Sequence, residues 1–169
     1  MDVNGDNWVG GTLGGGAVEI RRVRYDAMVS QALVAAAMSD LQERYEGDGD
    51  GTPVDEADFE PPAGAFLVAY LDEEPVACAG WRSHGGSDTV AELKRMYTLP
   101  AARRRGVARK ILAAVEESAR SYGRTRMIIE TGSRQPEAIK LYQACGYECI
   151  EHFGFYRNAP DVVSLGRDL

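Results

Sequence analysis

The chain has 169 residues, 44% hydrophobic and 27% charged, with a formal net charge of −7; that length suits one domain with a sizeable core, and the acidity argues against general nucleic-acid binding. No apolar run nears the length of a membrane helix and the N-terminus lacks the basic start and apolar core of a secretory signal, so the cytoplasm is the expected location. Cys78, Cys145 and Cys149 are an odd set without ligand spacing, and His84 and His152 stand in no metal-binding motif, so reduced thiols and no metal are expected.

In chain order, residues 1–16 contain six glycines and little that could pack, and read as a flexible leader ahead of a single domain over 17–169. The glycines from Gly10 to Gly16 follow no strand and have the wrong spacing for a nucleotide loop. Val18 to Tyr25 alternates imperfectly, as an edge strand does. Asp26 then suits an N-cap, and Met28, Leu33, Val34, Ala37, Met38, Leu41 and Tyr45 give an amphipathic helix to about Arg44. A long Gly/Asp/Glu/Pro-rich loop follows, Glu46 to Pro62, with one short helix near Val54 to Phe59; loops of this length are often functional lids or simply mobile. Ala65 to Leu71 and Pro75 to Arg82 form a hairpin through Asp72-Glu73-Glu74, and Thr89 to Thr98 adds a third strand.

Pro100 stops that strand, and the turn Arg103-Arg104-Arg105-Gly106-Val107-Ala108 leads into a helix with apolar residues at Val107, Ala108, Ile111, Leu112, Val115 and Ala119. The first N–H groups of a helix lack intrahelical partners and the macrodipole adds positive charge there, so an arginine-ringed helix start attracts phosphate. Three arginines alone fit an ordinary solvated junction better. After the Tyr122-Gly123 stop, Met127 to Ile129 is a short apolar strand, parallel to its predecessor because a helix separates them. Gln135-Pro136-Glu137 opens a last helix with Ala138, Leu141, Tyr142 and Cys145 on one face, and Tyr147 to Phe155 and Val162 to Leu165 close the sheet as an antiparallel pair.

Over about Val18 to Leu169 these residues resemble the GNAT superfamily of N-acetyltransferases. Arg103 to Ala108 fits that family's Q/R-x-x-G-x-G/A turn, and Ala138 to Tyr147 looks like its A-x-x-L-Y-x-x-x-G-F/Y segment. The resemblance implies an α/β (α+β) fold: a mixed, mostly antiparallel twisted sheet of six to seven strands with about four helices and a splayed central strand pair. It implies acetyl-CoA as co-substrate, with its diphosphate in the cradle Arg103, Arg104, Arg105, Gly106, Val107 and Ala108, its pantetheine arm on backbone groups of Met96 and Thr98, and a contact from Gln135, where the family more often has Asn.

In similar enzymes a glutamate at the place of Glu92 takes the proton of the amine, usually through water, so Glu92 is the expected base; pairing with Lys94 or a neighbouring strand is the structural alternative. Glu130 is the rival base or amine-binding acid, and Tyr142 the expected acid or hydrogen-bond donor to the CoA sulfur, with a core tyrosine as its alternative. Tyr156 and Arg157 could line the amine side, Arg157 hinting at a substrate carboxylate. The expected partners are acetyl-CoA and an amine, with neither nucleic acid nor membrane, and a homodimer is the assembly considered. A non-catalytic acyl-CoA-sensing module and a protein or peptide N-acetyltransferase are the alternative functions.

Overall fold

The computed structural model describes residues 17–169, so the leader expected over residues 1–16 lies outside the described residues. One sheet runs in the order β1-β2-β3-β4-β5-β7-β6. Its strands are β1 (Val18–Arg22), β2 (Gly64–Leu71), β3 (Glu74–Ser83), β4 (Val90–Thr98), β5 (Arg126–Gly132), β6 (Glu148–Cys149) and β7 (Val162–Asp168). The α-helices are α1 (Met28–Tyr45), α2 (Val107–Ser121) and α3 (Pro136–Ala144). Among the described residues that is three rather than about four, because the expected helix near Val54 to Phe59 is a single 3-10 turn, Glu56–Phe59.

Alternation along β2 divides the interior into two layers. Ala65, Leu67, Ala69 and Leu71 meet Val107, Ile111, Leu112 and Val115 of α2 on one face. Phe66 and Val68 meet Leu33 and Val34 of α1 on the other. A strand covered on both faces must be apolar throughout, which accounts for the sequence GAFLVAYL. The hairpin after β2 turns on Asp72 and Glu73, both at positive φ as a two-residue mirror-image turn demands, and Glu73 is tied back to Arg21 at 3.0 Å.

The start of α1 departs from expectation. Ala27 is the N-cap residue, while both Asp26 carboxylate oxygens accept from Arg24 at 2.8 Å. A bidentate guanidinium is a stronger partner than a helix amide, so the carboxylate goes there. Met28 is 90% exposed; the residues of α1 that are buried are Ser30, Leu33, Val34 and Ala37. Ser30 Oγ donates to the Arg24 carbonyl at 2.7 Å and joins the helix start to the segment that follows β1.

Two features of the sheet create the site. β4 and β5 are parallel, as the intervening helix requires, but pair only over Val90 to Glu92 against Arg126 to Ile128. Just beyond, β4 carries a bulge: Gly80 faces Lys94 and Cys78 faces Tyr97, so Arg95 and Met96 together stand opposite Ala79, and Arg95 takes φ 56. The strands therefore separate at the bulge. At the far edge, the expected strand over Tyr147 to Phe155 pairs with β7 only at Glu148 and Cys149. The chain then leaves the sheet, and farther on Gly154 fits against the Glu130 carboxylate, where a Cβ would come within 2.3 Å of Oε2.

Candidate active site

A cavity of about 220 Å³ opens where β4 and β5 part, and it reaches both faces of the sheet. Leu93, Met96, Ile129 and Tyr142 line it from the α2 side. Lys94, Arg95, Asp50, Glu130 and Tyr156 are among its lining from the α1 side.

On the α2 side, Tyr142 sits in the last turn of α3 and is 6% exposed. Its hydroxyl has one hydrogen-bond partner among the described residues, Met96 Sδ at 3.5 Å. Burial, with a smaller effect of Cys145, pushes this phenol above its ordinary pKa, so it stays protonated at neutral pH. The Tyr142 ring rests on Tyr147 at 5.8 Å, and the Tyr147 hydroxyl donates to Glu116 Oε1 of α2 at 2.8 Å. Glu116 in turn lies 3.5 Å from Arg167 Nη1. A buried polar chain thus fixes α3 relative to α2 and holds the tyrosine over the cavity.

The turn before α2 has the shape of an anion seat. Gly106 is its N-cap at φ 78, and a Cβ there would meet nothing within 4 Å, so its glycine serves the backbone conformation and leaves the approach open. The N–H groups of Val107 and Ala108 stand in the first turn, where no intrahelical partner exists. Arg104 and Arg105 are exposed beside it. Arg103 points elsewhere: its Nε donates to the Thr98 carbonyl at 3.0 Å, its Nη2 lies 3.4 Å from Asp40, and it covers the Tyr97 ring. Helix-start N–H groups flanked by two exposed guanidiniums are an arrangement that attracts an anion. Gln135 caps α3 through its backbone position, lines the cavity, and donates from Nε2 to Tyr45 Oη at 3.3 Å.

On the α1 side the structure separates the two glutamates. Glu92 is 4% exposed and is not part of the cavity wall. Its Oε2 lies 3.2 Å from Arg82 Nε and 3.7 Å from His84 Nδ1, and its Oε1 lies 3.4 Å from Lys94 Nζ. Glu130 does line the cavity; its Oε1 accepts from the Tyr156 N–H at 3.1 Å and its Oε2 is buried without a partner among the described residues. Tyr156 accepts from the Gly51 N–H at 2.6 Å, which ties the Glu46 to Pro62 loop to this wall. Arg95 holds the same loop from below, through Asp50 and through the Thr52 carbonyl at 3.0 Å. Arg157 is exposed and off the cavity, its nearest partner being the Gly154 carbonyl at 3.4 Å.

The cavity thus gathers Tyr142, Met96, Gln135, Glu130 and Tyr156, with Glu92 one layer behind and Arg103 and Arg157 outside. Lys94, Arg95 and Asp50 are cavity residues that motif spacing did not single out. The adjacent Lys94-Arg95 pair in a buried strand is a signal for them, since two neighbouring charges there need a bulge to share a face. Cys78 is buried, donates to the Arg95 carbonyl at 3.3 Å, and is pushed up to about 12 chiefly by burial, which makes it an inert packing thiol. Among the described residues no cluster of three or more His, Cys, Asp or Glu could hold a metal, and no helix is long and apolar enough to cross a membrane.

Residues 34–147 match the model of the acetyltransferase (GNAT) family. The chain is 36% identical over 95 residues to the uncharacterized N-acetyltransferase YjgM of Escherichia coli (strain K12), a match covering 56% of this chain and 57% of that relative's length. Its fold superposes on a candidate acyl-CoA N-acyltransferase from Klebsiella pneumoniae with a TM-score of 0.76 and 27% identity, covering 90% of this chain and 97% of the other. A GNAT family acetyltransferase from Elizabethkingia anophelis with acetyl-CoA bound superposes with a TM-score of 0.64 at 17% identity, covering 90% and 98%.

Proposed function

The chain belongs to the GNAT acetyltransferase family, and on that premise we propose that it transfers an acetyl group from acetyl-CoA to a primary amine. The observation that carries this reading is the cavity at the β4–β5 divergence, which joins a protonated, buried tyrosine on one face of the sheet to carboxylates on the other. The bound thioester would supply the acyl carbon that the amine attacks.

The roles of the chain's own residues follow from their positions. The N–H groups at the start of α2, with Arg104 and Arg105, bind the diphosphate, and β4 beyond Glu92 offers backbone groups that β5 does not use. Tyr142 donates a hydrogen bond to the sulfur as it leaves. Full proton transfer is the less favourable course, because a phenol near 10 is already a weaker acid than a thiol near 8.5, by about 2 kcal/mol, and burial weakens it further. The attacking amine must first lose a proton, since only its lone pair forms the new C–N bond. Glu92 accepts that proton through water in this reading. A second assignment, Glu130, is favoured by its place on the cavity wall and by its Oε2, which has no partner among the described residues.

The test is release of CoA thiol from acetyl-CoA with a panel of amines. Amine-dependent release supports transfer; coenzyme binding with no release under any amine favours the sensing module, and release only with peptides favours a peptide N-acetyltransferase.

A further inference from the structure

Two cations on the cavity wall have no part in the chemistry above. The bulge in β4 sets Lys94 and Arg95, neighbours in sequence, on the same α1 side of the sheet, where regular alternation would have sent them to opposite faces. We propose that they form an anion site, and that the acceptor is a small amine that also carries a carboxylate, of the amino-acid class. The proposal rests on the acetyltransferase reading and names its substrate.

Lys94 is 5% exposed, a degree of burial that lysine seldom has unless it is paired. Its ammonium offers three N–H donors, yet among the described residues it has one ion pair, to Glu92 Oε1 at 3.4 Å, and no closer hydrogen bond. Among the described residues Arg95 Nε, which is buried, has no acceptor, although the rest of the guanidinium is held by Asp50 and the Thr52 carbonyl. Two under-satisfied cationic donors side by side on a cavity wall are what a carboxylate completes.

The acids around them do not meet that need. Glu92 is shared with Arg82 and His84, and Asp50 is engaged by Arg95 and by Thr52 Oγ1 at 2.6 Å. Glu130 and Asp161 line the cavity as well, and Glu130 Oε2 has no partner among the described residues, so the lining offers both signs of charge to a zwitterion. Size points the same way. A cavity of about 220 Å³ is below the roughly 300–1,000 Å³ of sites for drug-sized ligands, and the acetyl end of the coenzyme must share it.

The experiment compares each standard amino acid with its own carboxamide, by kcat/KM for thiol release, in the wild type, Lys94→Met and Lys94→Arg. The wild type should prefer the acid over the amide by at least about 10-fold, the effect of one charge-assisted bond. Lys94→Met should bring that ratio close to one, and Lys94→Arg should keep part of it. Equal use of acid and amide by the wild type overturns the anion site, as does a preference that survives Lys94→Met. Should no amine of either kind release thiol, the transferase reading fails by itself, and the anion site is then judged by calorimetry on the CoA-saturated protein. Tighter binding of the amino acids than of their amides, lost in Lys94→Met, would support it, and equal binding would overturn it.

Discussion

At the scale of single residues, Tyr142 carries the sharpest expectation. Among the described residues its hydroxyl makes one weak contact, to a thioether, so Tyr142→Phe should leave thermal unfolding nearly unchanged while lowering turnover by about 10-fold or more. Full activity in Tyr142→Phe would reduce this residue to the core tyrosine that its helix face also suggested. Glu92 and Glu130 separate by pH profile. A base must be deprotonated to act, so replacing it by Gln should remove the decline of kcat/KM on the acid side and lower the rate about 100-fold or more. If that limb persists in Glu92→Gln and disappears in Glu130→Gln, the proton goes to the cavity wall. Asp50 offers a stability test. Burial raises its pKa, but the Lys94 charge, the Thr52 bonds and Arg95 outweigh this and hold it below the usual carboxylate range. A depressed folded-state pKa means that Asp50 contributes stability above the unfolded value near 3.9 and loses it as pH falls through the folded value. The stability deficit of Asp50→Asn against the wild type, read from denaturant unfolding, should therefore shrink as pH falls below about 4; a constant gap would contradict the charge network.

At the scale of elements, what sequence pattern could reveal depended on whether the cause was local. The apolar run of β5, the turn at Asp72 and Glu73, and the Pro136 start of α3 each come from one residue's backbone preference or one period, and each was readable. The face of α1 was readable only in part, because Met28 fits the helical period but lies beyond the edge of the core. Asp26 misled because its choice between a helix amide and Arg24 is settled by geometry. The bulge in β4 carries no glycine or proline to announce it, and it is what assigns Lys94 and Arg95 to one face. Close fit elsewhere supports the same strands. A Cβ on Gly80 would come within 2.7 Å of the buried rings of Phe59 and Phe66, so Gly80→Ala should cost about 1–3 kcal/mol in urea unfolding, through overpacking. A neutral result would show that this layer can relax. The Tyr147–Glu116 bond, buried between α3 and α2, is the counterpart on the other face: Tyr147→Phe should lose about 1–3 kcal/mol and, by loosening the support of Tyr142, some turnover as well.

At the scale of the molecule, the site exists because a sheet that is continuous at one end is divided at the other. Three pairs hold β4 to β5, and past Glu92 the space between them becomes the cavity. α1 braces both sides of this opening: Asp40 reaches Arg103 of the turn at 3.4 Å, and Arg44 reaches Glu137 of α3 at 2.5 Å. The family motifs in the turn and in α3 were legible because each is a short run of sequence, and the cleft between them was implied by their resemblance to a known family. The α1 side was not, since it is assembled from the Asp50 loop, the β4 bulge and the Tyr156 loop, which lie far apart along the chain. If the proposed function is right, this cleft passes an acetyl group from a thioester to an amine. The direct measurement is the ratio of free CoA thiol to acetylated amine formed when acetyl-CoA, an accepted amine and the protein are mixed, with product identified by mass spectrometry. One acetylated amine should form for each thiol released. Coenzyme bound without thiol release, or thiol released with no acetylated amine, would contradict it.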